Sequence, residues 1–314
     1  METRKIGALR VSVVGMGCNN FGGRIDEAQT REVIDESIHV GINLFDTADM
    51  YAGGRSEELL GRVLGKRRHD VIIATKFGNE MPGQGRGARP EYVKQALEAS
   101  LKRLGTDYVD LYQQHVPDSE VPIGDTLGAL NELVNAGKVR EIGCSNFSAA
   151  QIREARQASD ALGSARFVSV QNEYSLLHRE PEEEVLDESA REGLAFLPFF
   201  PLKSGLLTGK YRRGKPIPQN TRVAKYERYR SLLTDENLDK VEVLVAYAES
   251  RGHTILELAI SWLLAHGVVA SVIAGASSAQ QVRANVGAAG WPLGAAELEE
   301  IDVLLSREAR NATA

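Results

Sequence analysis

Short apolar runs alternate with amphipathic stretches along most of the chain. Eight of the apolar runs are nearly continuous and are bounded by polar residues or glycine, a pattern typical of strands buried on both faces of a parallel sheet. The eight predicted strands span 13–17, 42–48, 71–77, 109–115, 140–146, 167–174, 194–200 and 268–275.

The stretches between these runs carry apolar residues at helical spacing. They predict helices at 27–40, 90–104, 124–136, 149–159, 182–192 and 235–250, with additional helices at 254–266 and 295–305. Pro90 and Pro181 lie at predicted helix starts, and Gly105 and Gly137 lie just past predicted helix ends. Strands that alternate with helical regions in this way predict an α/β fold, a (β/α)8 TIM barrel that forms a single domain over 1–314.

Composition and charge narrow the classes of function. The chain has 314 residues, of which 43% are hydrophobic and 25% charged, and its net charge is −6. A mildly acidic chain argues against nucleic acid or an anionic membrane as the main partner. With two cysteines, no apolar run of membrane-spanning length and no apolar leader at the N-terminus, we expect a cytoplasmic protein without a disulfide framework.

Two other kinds of site find little support. The segment GQGRGA at 83–88 fits the dinucleotide fingerprint, but it does not lie at a strand-to-helix turn with an acid at the end of the next strand. We therefore interpret it as a surface loop. The six histidines are widely spread, without an H-E-x-x-H or C-x-x-C motif, so no metal is expected.

Four ionisable residues lie at the predicted C-terminal ends of three successive strands. Asp46 is near the end of the second strand with Tyr51 just beyond it, Lys76 is near the end of the third, and His115 ends the fourth. Each alone has a structural interpretation: a capping carboxylate, loop packing, a lysine that extends to solvent, or a structural histidine. Barrel enzymes react at this end of the strands, so the four together predict an active site.

The residue types indicate the chemistry. An ammonium beside a tyrosine hydroxyl favours the phenolate and is expected to lower the pKa of Tyr51 from its ordinary value. Tyr51 is then a general acid that donates a proton to a carbonyl oxygen, while Asp46 keeps Lys76 charged and in place. His115 is expected to donate a hydrogen bond to the same oxygen. These four groups include no hydride source, so a cofactor must supply one.

The chain resembles the aldo-keto reductase family. The segments FDTADMYAGGRSEELLG, ATKFG, DLYQQHVPD, GKVREIGCSNFS, QNEYSLL and PLKSGLLTGKY are similar to bacterial members and to the potassium channel β subunits, and the resemblance covers nearly the whole chain. It implies a barrel that binds NADP(H) across its rim and a catalytic tetrad of Asp46, Tyr51, Lys76 and His115. It also implies that Tyr51 is the proton donor and that hydride comes from the nicotinamide.

The resemblance further implies a cofactor site. Ser145, Asn146 and Gln171 match the residues that bind the carboxamide, and Phe199 matches the aromatic residue that stacks on the nicotinamide. Phosphates are expected beyond the last two strands, with Leu202 to Gly205 along the pyrophosphate and a Ser-capped helix N-terminus after the last strand. The full set of expected cofactor contacts is Asp46, Ser145, Asn146, Gln171, Phe199, Phe200, Pro201, Leu202, Ser204, Gly205, Lys210, Arg222, Gly275, Ala276, Ser277, Gln281 and Asn285.

Recognition of a 2′-phosphate depends on scattered cations. No Arg or Lys occupies 276–278, and Ala284 stands where relatives often carry a Glu on the adenine. The candidates are Lys210, Arg222 and Arg283, each of which has a simpler interpretation as a solvated surface charge. NADPH is favoured over NADH. The basic residues in 212–215 are interpreted as solvated surface or as a loop that closes over the cofactor.

Three functions stay open at this point. The favoured one is an NADPH-dependent reductase that converts small aldehydes or ketones to alcohols in an open pocket lined by Phe21, Tyr51, Phe77 and the following loop. The second is a cofactor-binding regulatory module like the channel β subunits, with little turnover. The third is an aldolase in which Lys76 forms a Schiff base. No sequence feature determines the oligomeric state or the substrate.

Overall fold

Eight of the strands form one parallel barrel, as expected from the sequence. The computed structural model describes residues 1–219 and 221–311, with side chains as far as 306. The strands in these residues are β1 (Thr3–Ile6), β2 (Leu9–Ser12), β3 (Val14–Gly17), β4 (Leu44–Asp46), β5 (Ile72–Phe77), β6 (Val109–Gln114), β7 (Val139–Ser145), β8 (Ser169–Gln171), β9 (Ala195–Phe196) and β10 (Val272–Gly275).

The barrel strands pair in parallel in the order β10-β3-β4-β5-β6-β7-β8-β9. The sheet closes between its first and last strands through the segment before β10. Phe196 N donates to Val268 O at 2.8 Å, and Ala270 N donates to Phe196 O at 3.0 Å. The predicted (β/α)8 barrel is confirmed. All eight C-terminal strand ends therefore meet at one rim, where barrel proteins place their functional groups.

Helices surround the barrel. They are α1 (Glu27–His39), α2 (Arg55–Leu64), α3 (Pro90–Leu104), α4 (Ile123–Asn135), α5 (Ala149–Leu162), α6 (Val185–Glu192), α7 (Arg222–Lys225), α8 (Glu227–Arg230), α9 (Asp235–Glu249), α10 (Ile255–Ala265), α11 (Ala279–Gly287) and α12 (Ala295–Asn311). Six of them begin at a side-chain cap, such as the capping boxes that Asp26 and Ser148 form with a Gln three residues later. Gly105, at φ 65°, ends α3 in the left-handed conformation that the sequence predicted.

Two apolar layers stabilise the barrel. The larger lies between the strands and the surrounding helices. The smaller fills the barrel itself, where Leu44, Ala74 and Leu111 meet Ile6 and Leu9 of the β1–β2 hairpin. The hairpin thus covers the N-terminal end of the barrel and leaves the C-terminal rim open.

The structure differs from the expected elements in several places. The β1–β2 hairpin, α2, α7 and α8 were not predicted, because the hairpin strands, α7 and α8 are only four residues long and α2 follows a glycine-rich loop. Pro181 lies in a short 3-10 turn, Glu180–Glu182, and α6 begins after it. The predicted strand at 194–200 is paired regularly only over Ala195–Phe196, because the chain turns out of the ladder toward a left-handed residue at Phe200, φ 49°.

Within the described residues, no helix is long and apolar enough to cross a membrane. In the same part of the chain, no three His, Cys, Asp or Glu side chains lie close enough together to hold a metal ion.

The contact between α2 and α3 depends on a glycine. A Cβ atom on Gly61 would lie 2.1 Å from the backbone oxygen of Leu104, so a side chain there would force the helices apart. The same two helices are joined by an ion pair between Arg103 Nε and Glu57 Oε2 at 2.6 Å. Because Tyr51 lies just before α2, this contact also supports the loop that carries it.

We predict that Gly61→Ala lowers the free energy of unfolding by about 1–3 kcal/mol, the usual cost of overpacking, as measured by urea denaturation. The matched control is Gly128→Ala within α4, where a Cβ has no neighbour within 4 Å. That change is expected to stabilise the protein by roughly 0.5–1 kcal/mol, because alanine favours helix. Equal effects of the two substitutions would contradict the role of Gly61.

Candidate active site

A buried ion pair forms the centre of the rim. Lys76 Nζ donates to Asp46 Oδ2 at 2.7 Å and to the backbone oxygen of Thr47 at 2.8 Å. Both side chains are almost completely excluded from solvent. Burial lowers the pKa of Lys76, but the negative charge of Asp46 and the nearby Tyr51 outweigh it, and the net pKa lies above its ordinary value. Lys76 is therefore a fixed ammonium.

The carboxylate of Asp46 has two further donors. Gln171 Nε2 donates to Oδ1 at 2.9 Å, and Gln113 Nε2 donates to the same oxygen at 3.3 Å. Sequence reasoning missed Gln113, although it lies two residues before His115 within the predicted strand over 109–115, and alternation along a strand places such a pair on the same side of the sheet. The two amides fix the orientation of the carboxylate that holds Lys76.

Tyr51 lies beside this pair, in a 3-10 turn over Tyr51–Gly54. Lys76 Nζ lies 5.2 Å from the centroid of the tyrosine ring. The expected net decrease in the pKa of Tyr51 is wrong for this structure: burial raises it above its ordinary value, and the charge of Lys76 offsets this only in part. Tyr51 therefore keeps its proton at neutral pH, as a proton donor must.

His115 completes the group immediately after β6. Its ring lies edge-on to that of Tyr51, with 5.9 Å between the ring centroids. Burial and then the charge of Lys76 lower its pKa to about 3, so the imidazole is neutral across the physiological range. A neutral imidazole carries one N–H and can donate one hydrogen bond without adding charge. The structure thus brings together all four predicted residues, Asp46, Tyr51, Lys76 and His115.

The three residues matched to the carboxamide lie next to each other at the ends of β7 and β8. Ser145 Oγ donates to the backbone oxygen of Gln171 at 2.7 Å, and Asn146 Nδ2 donates to His115 O at 2.9 Å and to Ser145 Oγ at 3.1 Å. Asn146 adopts a left-handed backbone, φ 61°. Its Oδ1 accepts from no described residue, so it is available to a ligand amide. Gln171 uses its nitrogen on Asp46, which leaves its amide oxygen for another partner.

Aromatic and left-handed residues follow β9. Phe199 and Phe200 are half-buried at the rim, with ring centroids 5.4 Å apart at a steep angle. Pro201 and Leu202 lead into a turn in which Ser204 has φ 57° and Gly205 φ 100°. A Cβ on Gly205 would lie 2.6 Å from Lys210 Nζ, so the glycine leaves room for this ammonium.

Two of the three candidate phosphate ligands approach each other. Arg222 Nη2 donates to Asn20 Oδ1 at 2.7 Å, and the pKa of Lys210 is lowered by burial and by the positive charges of Arg24 and Arg222. In residues 1–219 and 221–306, neither Lys210 nor Arg222 forms an ion pair with a carboxylate. Arg283, by contrast, pairs with Glu36 at 2.9 Å. Arg24 was not anticipated.

The segment after β10 forms the expected helix N-terminus. Ser278 caps α11, and Gln281 Oε1 accepts from the backbone N and the Oγ of Ser277 at 2.8 and 3.1 Å. Gly275 is exposed, while the backbone oxygen of Ala276 accepts from Asn20 Nδ2 at 3.0 Å. Asn285 is only 5% exposed, which leaves it little surface for a ligand.

One sequence interpretation is wrong. Phe21 and Phe77 do not line an open pocket, because both are completely buried in the outer core and Phe77 packs on Tyr112. In the basic loop over 212–215, interpreted from the sequence as solvated surface or as a loop over the cofactor, the two arginines are paired with carboxylates of α9. Arg212 makes a bidentate contact with Glu242 of α9, and Arg213 pairs with Asp239 at 2.6 Å. Long side chains in this loop are used to anchor it.

The fold and the rim define a class: a (β/α)8 barrel with an ammonium, a phenol and a neutral imidazole around one opening. Comparison with known proteins identifies the family. The model of the aldo/keto reductase family matches residues 13–306, and the chain belongs to this family, whose members are oxidoreductases that generally use nicotinamide cofactors.

The similar proteins are named either as potassium channel subunits or as oxidoreductases. A probable voltage-gated potassium channel subunit beta of Arabidopsis thaliana is 37% identical, over 91% of this chain and 90% of its own. An uncharacterized oxidoreductase of Bacillus subtilis, YqkF, is 36% identical over 92% and 91%. The holo form of aldo-keto reductase AKR11C1 from Bacillus halodurans superposes with a TM-score of 0.78 at 35% identity, covering 97% of this chain and 96% of that one.

One buried carboxylate beside Tyr51 has no obvious partner. Asp49 is 1% exposed, and neither carboxylate oxygen has a hydrogen-bond partner in the described part of the chain. Burial, and then the charge of Glu57, raise its pKa to about 7, while the nearby backbone N–H of Met50 and the charges of Arg103 and Lys76 lower it less. Between about pH 4 and 7, the folded state therefore binds this proton more tightly than the unfolded chain does.

We predict that this difference makes the free energy of unfolding decrease as the pH rises from 4.5 to 8. The stability contributed by protonated Asp49 is complete at low pH and is lost through its folded pKa. Asp49→Asn, which stays neutral, should remove about 2 kcal/mol or more of that decrease. Urea titrations at the two pH values measure it, with Asp70→Asn on the exposed surface as the control. A variant with the wild-type pH dependence would contradict the assignment.

Proposed function

We propose that this protein is an NADPH-dependent reductase that converts aldehydes or ketones to alcohols, with the four rim residues as its catalytic group. The observation that carries the proposal is the convergence of Tyr51 and His115 on one opening above the buried Asp46–Lys76 pair. A protonated phenol and a neutral N–H at the same place are what a carbonyl oxygen needs as it becomes a hydroxyl.

In this mechanism Tyr51 donates its proton to the carbonyl oxygen. Lys76 stabilises the phenolate that remains, because an ammonium at this distance in a dry site favours the charged form. His115 donates a hydrogen bond to the same oxygen and orients the substrate. The reduced nicotinamide supplies the hydride when it is bound.

The residues present fit such a cofactor. Asn146 Oδ1 accepts from no described donor and would hold the carboxamide with Ser145 and Gln171. Phe199 offers a half-buried aromatic face for the ring, and 202–205 would hold the pyrophosphate. The Asp46–Lys76 pair argues against the aldolase alternative, because a lysine held as an ammonium is a poor nucleophile.

Two cations that follow the turn over 202–205 in the chain, Lys210 and Arg222, support a preference for NADPH over NADH. Burial, and then the positive charges of Arg24 and Arg222, lower the pKa of Lys210, while burial and the charges of Arg24 and Arg228 lower the pKa of Arg222. Cations that repel one another without a carboxylate partner favour a dianionic ligand, and the 2′-phosphate of NADPH is one.

A regulatory module is the second candidate, favoured by the similarity to plant proteins named as probable potassium channel β subunits. Both candidates would bind the cofactor, so turnover separates them. A regulatory module would reduce carbonyl compounds slowly or not at all.

We predict that Tyr51→Phe abolishes NADPH consumption with reactive aldehydes, decreasing kcat by at least about 100-fold, the usual contribution of a general acid. The dissociation constant for NADPH should change little, since one hydroxyl is removed. Tyr108→Phe is the control, because Tyr108 precedes β6 at the other end of the barrel. Tight NADPH binding without wild-type turnover would favour the regulatory module.

We predict that Lys210→Met and Arg222→Met each weaken NADPH binding about tenfold, which is roughly 1.4 kcal/mol, while NADH binding changes little. The reason is that only NADPH carries the 2′-phosphate. Arg283→Met, which removes a cation already paired with Glu36, is the matched control. Fluorescence titration of both cofactors measures the two constants, and an equal loss for NADH would assign these residues to the pyrophosphate instead.

A further inference from the structure

The segment after β9 holds an unusual amount of left-handed backbone. Five non-glycine residues have a positive φ in the described part of the chain, and three of them lie within 200–205: Phe200 at 49°, Lys203 at 42° and Ser204 at 57°. Side chains disfavour this conformation, so it persists only where neighbouring contacts enforce it. The contacts of this turn therefore decide its shape.

The first end of the turn is held by backbone pairing. Phe199 N donates to Asn172 O at 3.1 Å, and Tyr174 N donates to Phe199 O at 3.3 Å. Beyond Phe200 the backbone bonds are internal to the turn and the residues that follow it. Lys203 N donates to Phe200 O, and Gly205 N donates to Leu202 O, both at 2.8 Å.

One side-chain contact joins the far end of the turn to the rest of the rim. Lys203 Nζ lies 2.5 Å from Oε1 of Glu173, which belongs to the loop after β8. The lysine side chain is 14% exposed and the glutamate side chain 26%, so solvent screens this pair less than a pair on the open surface. The ammonium of Lys203 is thus bound to the segment after β8 that already pairs with Phe199.

We infer that the Glu173–Lys203 ion pair positions the turn over 200–205 for the pyrophosphate of the cofactor and thereby slows cofactor release. The inference rests on the proposed function. Without the pair, Lys203 is free to relax toward negative φ, which moves Ser204 and Gly205 relative to Phe199. Lys203 is in this account a positioning residue that acts through its backbone, and its ammonium is directed at Glu173.

The experiment compares Lys203→Met, Glu173→Gln, the double variant and Lys203→Gly. Stopped-flow fluorescence measures the NADPH dissociation rate of the full-length protein, and equilibrium titration measures its dissociation constant. Lys94→Met is the control, since Lys94 forms an equally short ion pair with Glu132 on the exposed faces of α3 and α4. Melting temperatures confirm that each variant is folded.

Lys203→Met and Glu173→Gln are each expected to raise the NADPH dissociation rate about tenfold. The double variant should release NADPH no faster than either single variant, because the two residues act as one unit. Lys203→Gly should recover most of the slow release without any ammonium, because glycine adopts positive φ freely. The control should release NADPH at the wild-type rate.

Three results would overturn the inference. One is an unchanged release rate in all four variants. Another is a Glu173→Gln variant with the wild-type NADPH dissociation rate together with a Lys203→Met variant whose rate is raised, which would indicate that the ammonium contacts the phosphate itself. The third is a Lys203→Gly variant as fast as Lys203→Met. A wild-type protein that binds neither NADPH nor NADH would refute the proposed function and the inference with it, whereas normal wild-type binding with unchanged variants refutes the inference alone.

Discussion

The buried ion pair of Asp46 and Lys76 is the interaction on which the rim depends. Two charges removed from water are tolerated only when each is neutralised and fully hydrogen-bonded. The barrel supplies this from three strand ends: Gln113 and Gln171 donate to the carboxylate, and Thr47 O accepts from the ammonium. The charge that adds to burial in keeping His115 neutral, and that faces the ring of Tyr51, therefore depends on several strands of the sheet and not on one loop.

A second constraint is conformational. All five non-glycine residues with positive φ in the described chain lie at the C-terminal rim: Ala52, Asn146, Phe200, Lys203 and Ser204. Each follows or adjoins a residue proposed to react or to bind the cofactor. Regular strands and helices elsewhere stabilise these conformations, since a left-handed residue with a side chain costs on the order of 1–3 kcal/mol. The strain is thus concentrated where the barrel turns its strands into loops.

The sequence determines the parts of this architecture that depend on burial. All eight barrel strands were predicted from apolar runs, and Asp46, Tyr51, Lys76 and His115 from their positions at strand ends. The burial of Phe21 and Phe77 was not predicted, because an aromatic residue near a rim has the same sequence pattern whether it faces the opening or the outer core. Nor was the direction of the pKa of Tyr51, since a sequence reveals the neighbouring ammonium but not the depth of burial that outweighs it.

Net charge is a poor guide to the field at the rim. The chain carries −6 overall, yet several of its acids lie on the outer helices, where Glu242 and Asp239 neutralise the loop arginines and Glu36 neutralises Arg283. Lys210 and Arg222 lie near Arg24, whose positive charge adds to burial in lowering the pKa of both. An acidic protein can therefore present a local positive potential, because pairing and not composition determines which charges a ligand meets. The anionic end of a dinucleotide would meet these cations, while its nicotinamide end would meet the neutral groups of Tyr51 and His115.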